Sequence, residues 1–498
     1  MVVFATDGYI TGTYNSVLKY KKYSDHIEIS DCNELVTNIE IPSKFDELPV
    51  TKIDNGAFSN CENLTEIIIP DSVTSIGDSA FSYCENLTEI IIPNNVTNIG
   101  KSVFTKCSNL KEIIVSENNP NYYSADGVLF NKEKARLIQY PIGNIETKYI
   151  IPDSVTSIGN SAFSNCENLT EIIIPDSLTK IGGQAFSGTS WIKTKQKESP
   201  LVIVNEILID GNSCKGDIII PYGITSIGES AFFDTSITSV KIPDSVVSIE
   251  RNAFGLCNFL TTITIPNSVK NIESSAFSNC KNLTSVNINY GVTNIGASAF
   301  ISCKSLTEVI LPNSIISVGN FAFLGCSNLT NIIIPNSVTV IGEGAFRGCN
   351  NLINITIPNN ITNIKKDTFS LCEKLKEITI ESSNCKIYDS ANTICNDFAS
   401  DGGYVFNGII YGHKNSTAEK YAKKYGYNFK IIGDSNNYEA MGDCNNDGQF
   451  SVADILMLQK WLLNDETELT NWQSADLDEN GIIDVFDLCL MKQELINK

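Results

Sequence analysis

Two twelve-residue stretches near the end of the sequence carry side chains suited to metal chemistry. The first is Asp443-Cys-Asn445-Asn-Asp447-Gly448-Gln449-Phe-Ser451-Val-Ala-Asp454. The second begins 33 residues later and reads Asp476-Leu-Asp478-Glu-Asn480-Gly481-Ile482-Ile-Asp484-Val-Phe-Asp487. Short oxygen-bearing side chains recur at positions 1, 3, 5, 9 and 12, with glycine at 6. Calcium is a hard cation that takes six to eight oxygens at about 2.3–2.6 Å, and a loop with this spacing can close around it. The candidate ligands are Asp443, Asn445, Asp447, Ser451 and Asp454 with the backbone carbonyl of Gln449, then Asp476, Asp478, Asn480, Asp484 and Asp487 with that of Ile482. Aspartate stands at position 12, where glutamate is usual, so the acid is one methylene shorter. A solvated turn would explain one such loop; two complete loops in tandem are better explained by two structural Ca2+ ions.

A helix is expected after each loop, over 455–463 and 488–496, and neither loop has a clear helix before it. Residues 433–441 are polar and lack hydrophobic period, which reads as a linker. This loop–helix duplication over 442–498 resembles a type I dockerin, a small all-α module. The resemblance implies a calcium-dependent cohesin partner on a scaffoldin, as in cellulosome-like complexes. It also implies recognition residues at Val452, Ala453, Gln459, Lys460 and Asn464, and at Val485, Phe486, Lys492, Gln493 and Asn497. The best-known type I dockerins carry Ser or Thr where Val452-Ala453 and Val485-Phe486 stand here, which leaves the class of cohesin open. Internal packing is an equal reading for Val452 and Val485.

Most of the chain is a repeat. Ala-Phe recurs at Ala57-Phe58, Ala80-Phe81, Ala162-Phe163, Ala185-Phe186, Ala231-Phe232, Ala253-Phe254, Ala276-Phe277, Ala299-Phe300, Ala322-Phe323 and Ala345-Phe346. Val103-Phe104 and Thr368-Phe369 fill the same slot, and consecutive copies are 23 residues apart with one step of 22. In the unit starting at Leu64, the Leu-x-x-Ile-x-Ile pattern predicts a short strand with Leu64, Ile67 and Ile69 inward. Pro70 ends it. Val73 and Ile76 turn inward again, and Ala80, Phe81 and Cys84 fill the back of the coil. One unit cannot bury this face alone, but units stacked about 4.8 Å apart make a continuous core.

These repeats resemble the BspA-like leucine-rich repeats, which implies a mainly β fold, a right-handed solenoid. The expected layout is an N-terminal β cap over 1–50, repeats over 51–380 and a C-terminal flank over 381–432 with a short helix capped by Ser416 or Thr417. Two interruptions, 116–150 and 187–221, each read as two short strands and a turn. They fit atypical coils that continue the stack better than protruding hairpins.

Ten of the 16 cysteines share one slot, three residues after the phenylalanine, which marks them as buried free thiols. Cys385 and Cys395 are a candidate bridge in the flank. The net charge of −21 opposes binding to nucleic acid or anionic membrane, and no apolar run is long enough to span a bilayer. Val3-Phe4-Ala5 fits the tail of a secretory signal, which favours an extracellular location. His26 and His413, the only histidines, sit in no catalytic context. Outward strand positions form an acidic column (Glu66, Glu89, Glu112, Glu171) beside an isoleucine column (Ile68, Ile91, Ile114, Ile173), with no aromatic to stack on sugar. The expectation is a secreted, non-catalytic component whose solenoid binds an unknown protein; the alternative is adhesion to a plant-wall polysaccharide or cell surface through the solenoid.

Overall fold

The computed structural model describes residues 10–399, 402–432, 442–445, 450–463, 469, 472–478 and 482–496. The expected signal remnant at 1–5 and the linker at 433–441 lie outside the described residues. Contacts divide the chain into two units, with the boundary between Phe429 and Lys430.

In the first unit the 23-residue period becomes a stack of coils. Each regular coil gives a longer strand to one parallel sheet and a two-residue strand to another. Thr262–Ile265 pairs in register with Ser285–Ile288, which pairs with Glu308–Ile310 and then Asn331–Ile333. The inward residues behave as the pattern predicts: Leu64, Ile67, Ile69, Val73, Ile76, Ala80, Phe81 and Cys84 are all buried. Phenylalanine rings stack from coil to coil at 5.1–5.6 Å between Phe232 and Phe369. Beneath them a backbone ladder runs from the phenylalanine N–H of one coil to the carbonyl one residue earlier in the next, as from Phe300 to Ala322 at 2.8 Å.

The cysteine column is satisfied in the same way. The Cys303 thiol donates to the Phe277 carbonyl at 3.1 Å, Cys326 to Phe300 at 3.1 Å and Cys280 to Phe254 at 3.0 Å. All 16 cysteines are free. Cys385 and Cys395 therefore form no bridge: Cys395 lies against the last coil, where its thiol meets Ser370 at 3.7 Å.

Each interruption ends one run of the short-strand column and supplies the strand that starts the next, Arg136–Gln139 in the first and Ile207–Asp210 in the second. Tyr122–Ala125 and Val128–Asn131 form a hairpin around Asp126-Gly127, both at positive φ, as a tight two-residue turn requires. Arg136–Gln139 then pairs parallel with Ser157–Ile158, and Tyr140 takes the phenylalanine slot, stacked on Phe163 at 5.3 Å. The second interruption holds the expected hairpin, Val202–Val204 with Ile207–Asp210, but also a helix, Ser190–Glu198, that the pattern did not predict. Its signal was local: Thr189 caps it by accepting from the Ile192 N–H, and Trp191 and Ile192 are buried. Gly211 then stands in the phenylalanine slot, because a Cβ there would come within 2.4 Å of the Phe232 ring.

These interruptions divide the core. One cluster runs from Leu18 to Leu129, a second from Val128 to Ile207 and a third from Leu208 to Ala422. Ends are closed by different means. The hairpin Ile10–Tyr14 with Leu18–Lys22 joins the short-strand sheet through Ile27–Cys32. The helix Thr417–Tyr425, capped by Ser416 as expected, buries Ala418, Tyr421 and Ala422 at the other end.

Each coil also holds residues in the left-handed region, including Leu256 at φ 60°, in the slot occupied by Gly325 and Gly348 in later coils. Left-handed backbone costs a side-chain-bearing residue about 1–2 kcal/mol, part of which glycine returns as unfolded-state entropy. Leu256→Gly should therefore raise stability by roughly 0.5–1 kcal/mol, whereas Phe300→Ala should lower it by about 3–5 kcal/mol. Urea midpoints of the full chain check both signs.

Candidate functional site

The second unit is built from two halves related by the 33-residue offset. Its core pairs Ile455 with Leu488, and Leu458 with Met491, as corresponding residues. Cys444 is buried between the halves, 4.0 Å from the Met491 sulfur, and burial pushes its thiol up to about 12. The Ser474 hydroxyl donates to the Asp443 carbonyl at 2.7 Å, and the Gly442 N–H donates to the Ser474 carbonyl at 2.7 Å. These bonds tie the start of the first loop to the turn of helix Trp472–Ala475, which directly precedes the second loop. That turn corrects the expectation that neither loop is preceded by helix.

The two helices, Val452–Leu462 and Val485–Ile496, begin three residues before the hydrophobic pattern suggested. Ser451 accepts from the Ala453 N–H at 3.1 Å, and Asp454 accepts from the Ser451 N–H at 2.8 Å, which makes a capping box. Position 12 of each loop is thus also the third residue of a helix. Glutamate normally closes both a calcium loop and a capping box; here the shorter aspartate does both.

Asp454 and Asp487 are fully buried. One oxygen of Asp454 accepts from the Asn445 N–H at 3.2 Å; one of Asp487 accepts from the Leu477 N–H at 2.9 Å, and its other accepts from the Asp484 N–H at 2.8 Å. Asp484 in turn accepts from the Phe486 N–H at 2.6 Å, as Ser451 does from Ala453. No lysine or arginine pairs with Asp454 or Asp487 among the described residues. A buried carboxylate left to neutral donors is costly, and a cation is the usual remedy.

The carboxylates of Asp476, Asp478 and Asp487 converge, with one oxygen from each lying within 4.8 Å of the others. Oxygens on opposite sides of a calcium ion stand about 5 Å apart, so this spacing fits shared ligation. Ile482 has an exposed side chain, as suits a residue that offers only its carbonyl. In the first loop Asp443 is buried and Asn445 half-buried. Asp447, Gln449 and Asn480 lie outside the described residues.

Of the residues implied for partner recognition, Val452, Val485 and Phe486 are 59%, 64% and 52% exposed. Ala453, Gln459, Lys460, Lys492 and Gln493 are also exposed, while Asn464 and Asn497 lie outside the described residues. The packing reading of Val452 and Val485 is therefore set aside. The sequence reading missed Leu456, Leu463 and Ile496, all exposed. Their signal was spacing: Val452, Leu456, Gln459 and Leu463 fall on one helical face, and Val485, Lys492 and Ile496 repeat it in the second half. Exposed apolar residues grouped this way mark binding surfaces.

Residues 30–146, 139–215, 210–310 and 270–399 match the BspA type leucine rich repeat region in six copies. Residues 441–496 match the dockerin type I domain. No curated protein matches the chain. Among solved structures, a leucine-rich repeat protein from Bacteroides ovatus is 25% identical, covering 86% of this chain and 99% of its own, with a TM-score of 0.37. One from Eubacterium ventriosum is 24% identical over 68% and 95%, with a TM-score of 0.28. A leucine rich cell surface protein from Faecalibacterium prausnitzii is 24% identical over 79% and 100%, also at 0.28. No helix among the described residues is long and apolar enough to cross a membrane.

Asp487→Ala should abolish the convergence of carboxylates and leave three loop N–H groups without their acceptor. We expect at least a tenfold loss of calcium affinity, read by titrating calcium against intrinsic fluorescence after chelation; an unchanged curve would exclude Asp487 as a ligand.

Proposed function

We propose a docking function for this chain, which belongs to the BspA type leucine rich repeat family and carries a type I dockerin domain over residues 441–496. It is a secreted, non-catalytic component that attaches to a cohesin of a scaffoldin and presents its solenoid to a protein partner. The observation that carries this reading is the pairing of two calcium-type loops with two equivalent exposed apolar turns, Val452-Ala453 and Val485-Phe486. Two Ca2+ ions hold the loops, and their role is structural. Each ion would offset the burial of a position-12 aspartate and fix the helix start that aims the turn outward.

The near-equivalence of the halves supports binding in either of two orientations, because each presents a valine at position 10 and an exposed apolar residue at position 21. Apolar turns in place of hydroxyls favour a cohesin with an apolar contact surface. Recognition centred on such anchors, with Gln459, Lys460, Lys492 and Gln493 at the rim, follows the ordinary anatomy of an interface.

For the solenoid, the outward strand positions support a protein partner with an apolar centre and a basic rim. Ile68, Ile91, Ile173, Ile310 and Ile333 are exposed beside Glu66, Glu89, Glu171 and Glu308. Each strand shows the same alternation of exposed, buried and exposed residues.

Pull-down of the full chain with a panel of cohesins tests the docking half. Capture should need calcium and be lost with chelator. Val452→Arg with Phe486→Arg should weaken capture by at least tenfold, since one change alone leaves the other half able to bind. Failure of every cohesin with calcium present would sink the reading. Calcium titration should give two ions per chain in the wild type and one in Asp487→Ala.

A further inference from the structure

We propose that the first unit contains a binding cleft for a neutral, hydroxyl-rich ligand, an oligosaccharide, along its second core segment, from the break before that segment to the break after it. The site goes beyond the docking function and lies apart from the outward strand face.

The cleft has a volume of about 820 Å3, within the usual range of ligand sites. It opens where the short-strand ladder is interrupted. The sheet that contains Ser75–Ile76 ends at Asn98–Ile99, and the next begins with the hairpin and Arg136–Gln139. Tyr122 closes part of the gap, with its hydroxyl accepting from the Ile99 N–H at 3.0 Å. The space beyond is lined by Arg136, Asn160, Gln184 and Glu229, with Phe233 at one edge. A smaller depression of about 240 Å3 shares Arg136, Asn160 and Glu229 and adds Lys180 and Glu250.

One departure from the repeat builds the floor. In the slot after the coil glycine, other coils carry a side chain: Asp78, Lys101, Asn160, Glu229. The second segment puts Gly183 there, in its last regular coil. A Cβ at Gly183 would come within 2.8 Å of the Glu229 Cγ. Its absence lets Glu229 cross that coil and accept two bonds from the Asn160 side chain, at 3.1 and 3.2 Å, across 69 residues of sequence.

The chemistry selects the ligand. Carboxylate, carboxamide and guanidinium groups are planar and can meet adjacent hydroxyls in pairs; the carboxylate accepts, the guanidinium donates and the carboxamide does both. Across the cleft and the adjoining depression the charges nearly balance: Lys101, Arg136 and Lys180 line them against Glu229 and Glu250. A chain of net charge −21 does not favour an anion at a site with two carboxylates. Burial raises Glu250 above the usual carboxylate range, which suits a hydrogen-bonding role. Half-buried Phe233 and Tyr122 offer the apolar faces that sugar rings pack on.

The test is calorimetry of the full chain with cellohexaose, xylohexaose, mannohexaose and maltohexaose, alongside ATP and a basic peptide. At least one neutral oligosaccharide should bind. Asn160→Ala, a change on the surface, should weaken that binding at least fivefold, and Gly183→Asp, which displaces Glu229, at least tenfold. Lys366→Ala, far along the same column, should leave it unchanged. The proposal is overturned if no neutral sugar binds at millimolar concentration, if binding survives both cleft variants, or if only ATP or the peptide binds. Cohesin capture is scored separately, so loss of either function leaves the other readable.

Discussion

A single coil of this repeat has nowhere to put its apolar side chains except against the next coil. That constraint governs the first unit. Within each regular run phenylalanine stacks on phenylalanine, the backbone ladder links one coil to the next, and the column cysteines from Cys257 to Cys372 spend their thiol hydrogens on the coil before. Stability is therefore a sum over neighbouring pairs. The same logic explains why the ends need foreign elements: an antiparallel hairpin at one and an amphipathic helix at the other cover core that no further coil is there to bury.

The second unit answers a different physical problem. Its apolar core is small, built on Cys444, Ile455, Leu458, Ala475, Leu488 and Met491. What it buries beside that core is charge, in Asp454 and Asp487. Each of these acids caps its own helix and draws in the backbone of its own loop. A cation at that point would offset their burial cost and fix the direction of the first helical turn, which connects metal chemistry to the exposed residues of positions 10 and 11.

The repeat was legible because one substitution pattern was written many times. The inward face, the ends of the strands and the cysteine column all follow from period and residue type, and the cap at Ser416 follows from local chemistry. Legibility failed where a signal occurs once. The helix Ser190–Glu198 has a sound cap at Thr189 but is too short for a periodic pattern to stand out. Cys385 and Cys395 read as a candidate bridge because both lie in the flank, outside the repeat column, while packing placed Cys395 on the last coil instead. In the metal loops the ligand types could be read at once. The early helix starts could not, because Asp454 and Asp487 serve loop and helix together. Leu456 and Leu463 were missed for the opposite reason: sequence alone reads an apolar residue on an amphipathic helix as core, and only the packing shows which face is covered.

Repetition also explains where individual chemistry can arise in such a chain. Within a regular run, each slot faces the same slot one coil away, so a new polar side chain must be accommodated by two near-identical neighbours. At a break that symmetry is absent. Phe104 and Tyr140 belong to separate runs of rings, as do Phe186 and Phe232. There the ladder is already interrupted, one neighbour is missing, and a residue such as Gly183 can differ from its column without unsettling the rest. The Asn160–Glu229 contact, the Tyr122 hydroxyl on the Ile99 N–H and the helix at Ser190–Glu198 all belong to these breaks. The regular runs hold the breaks in position, and the breaks are where side chains from distant parts of the sequence meet.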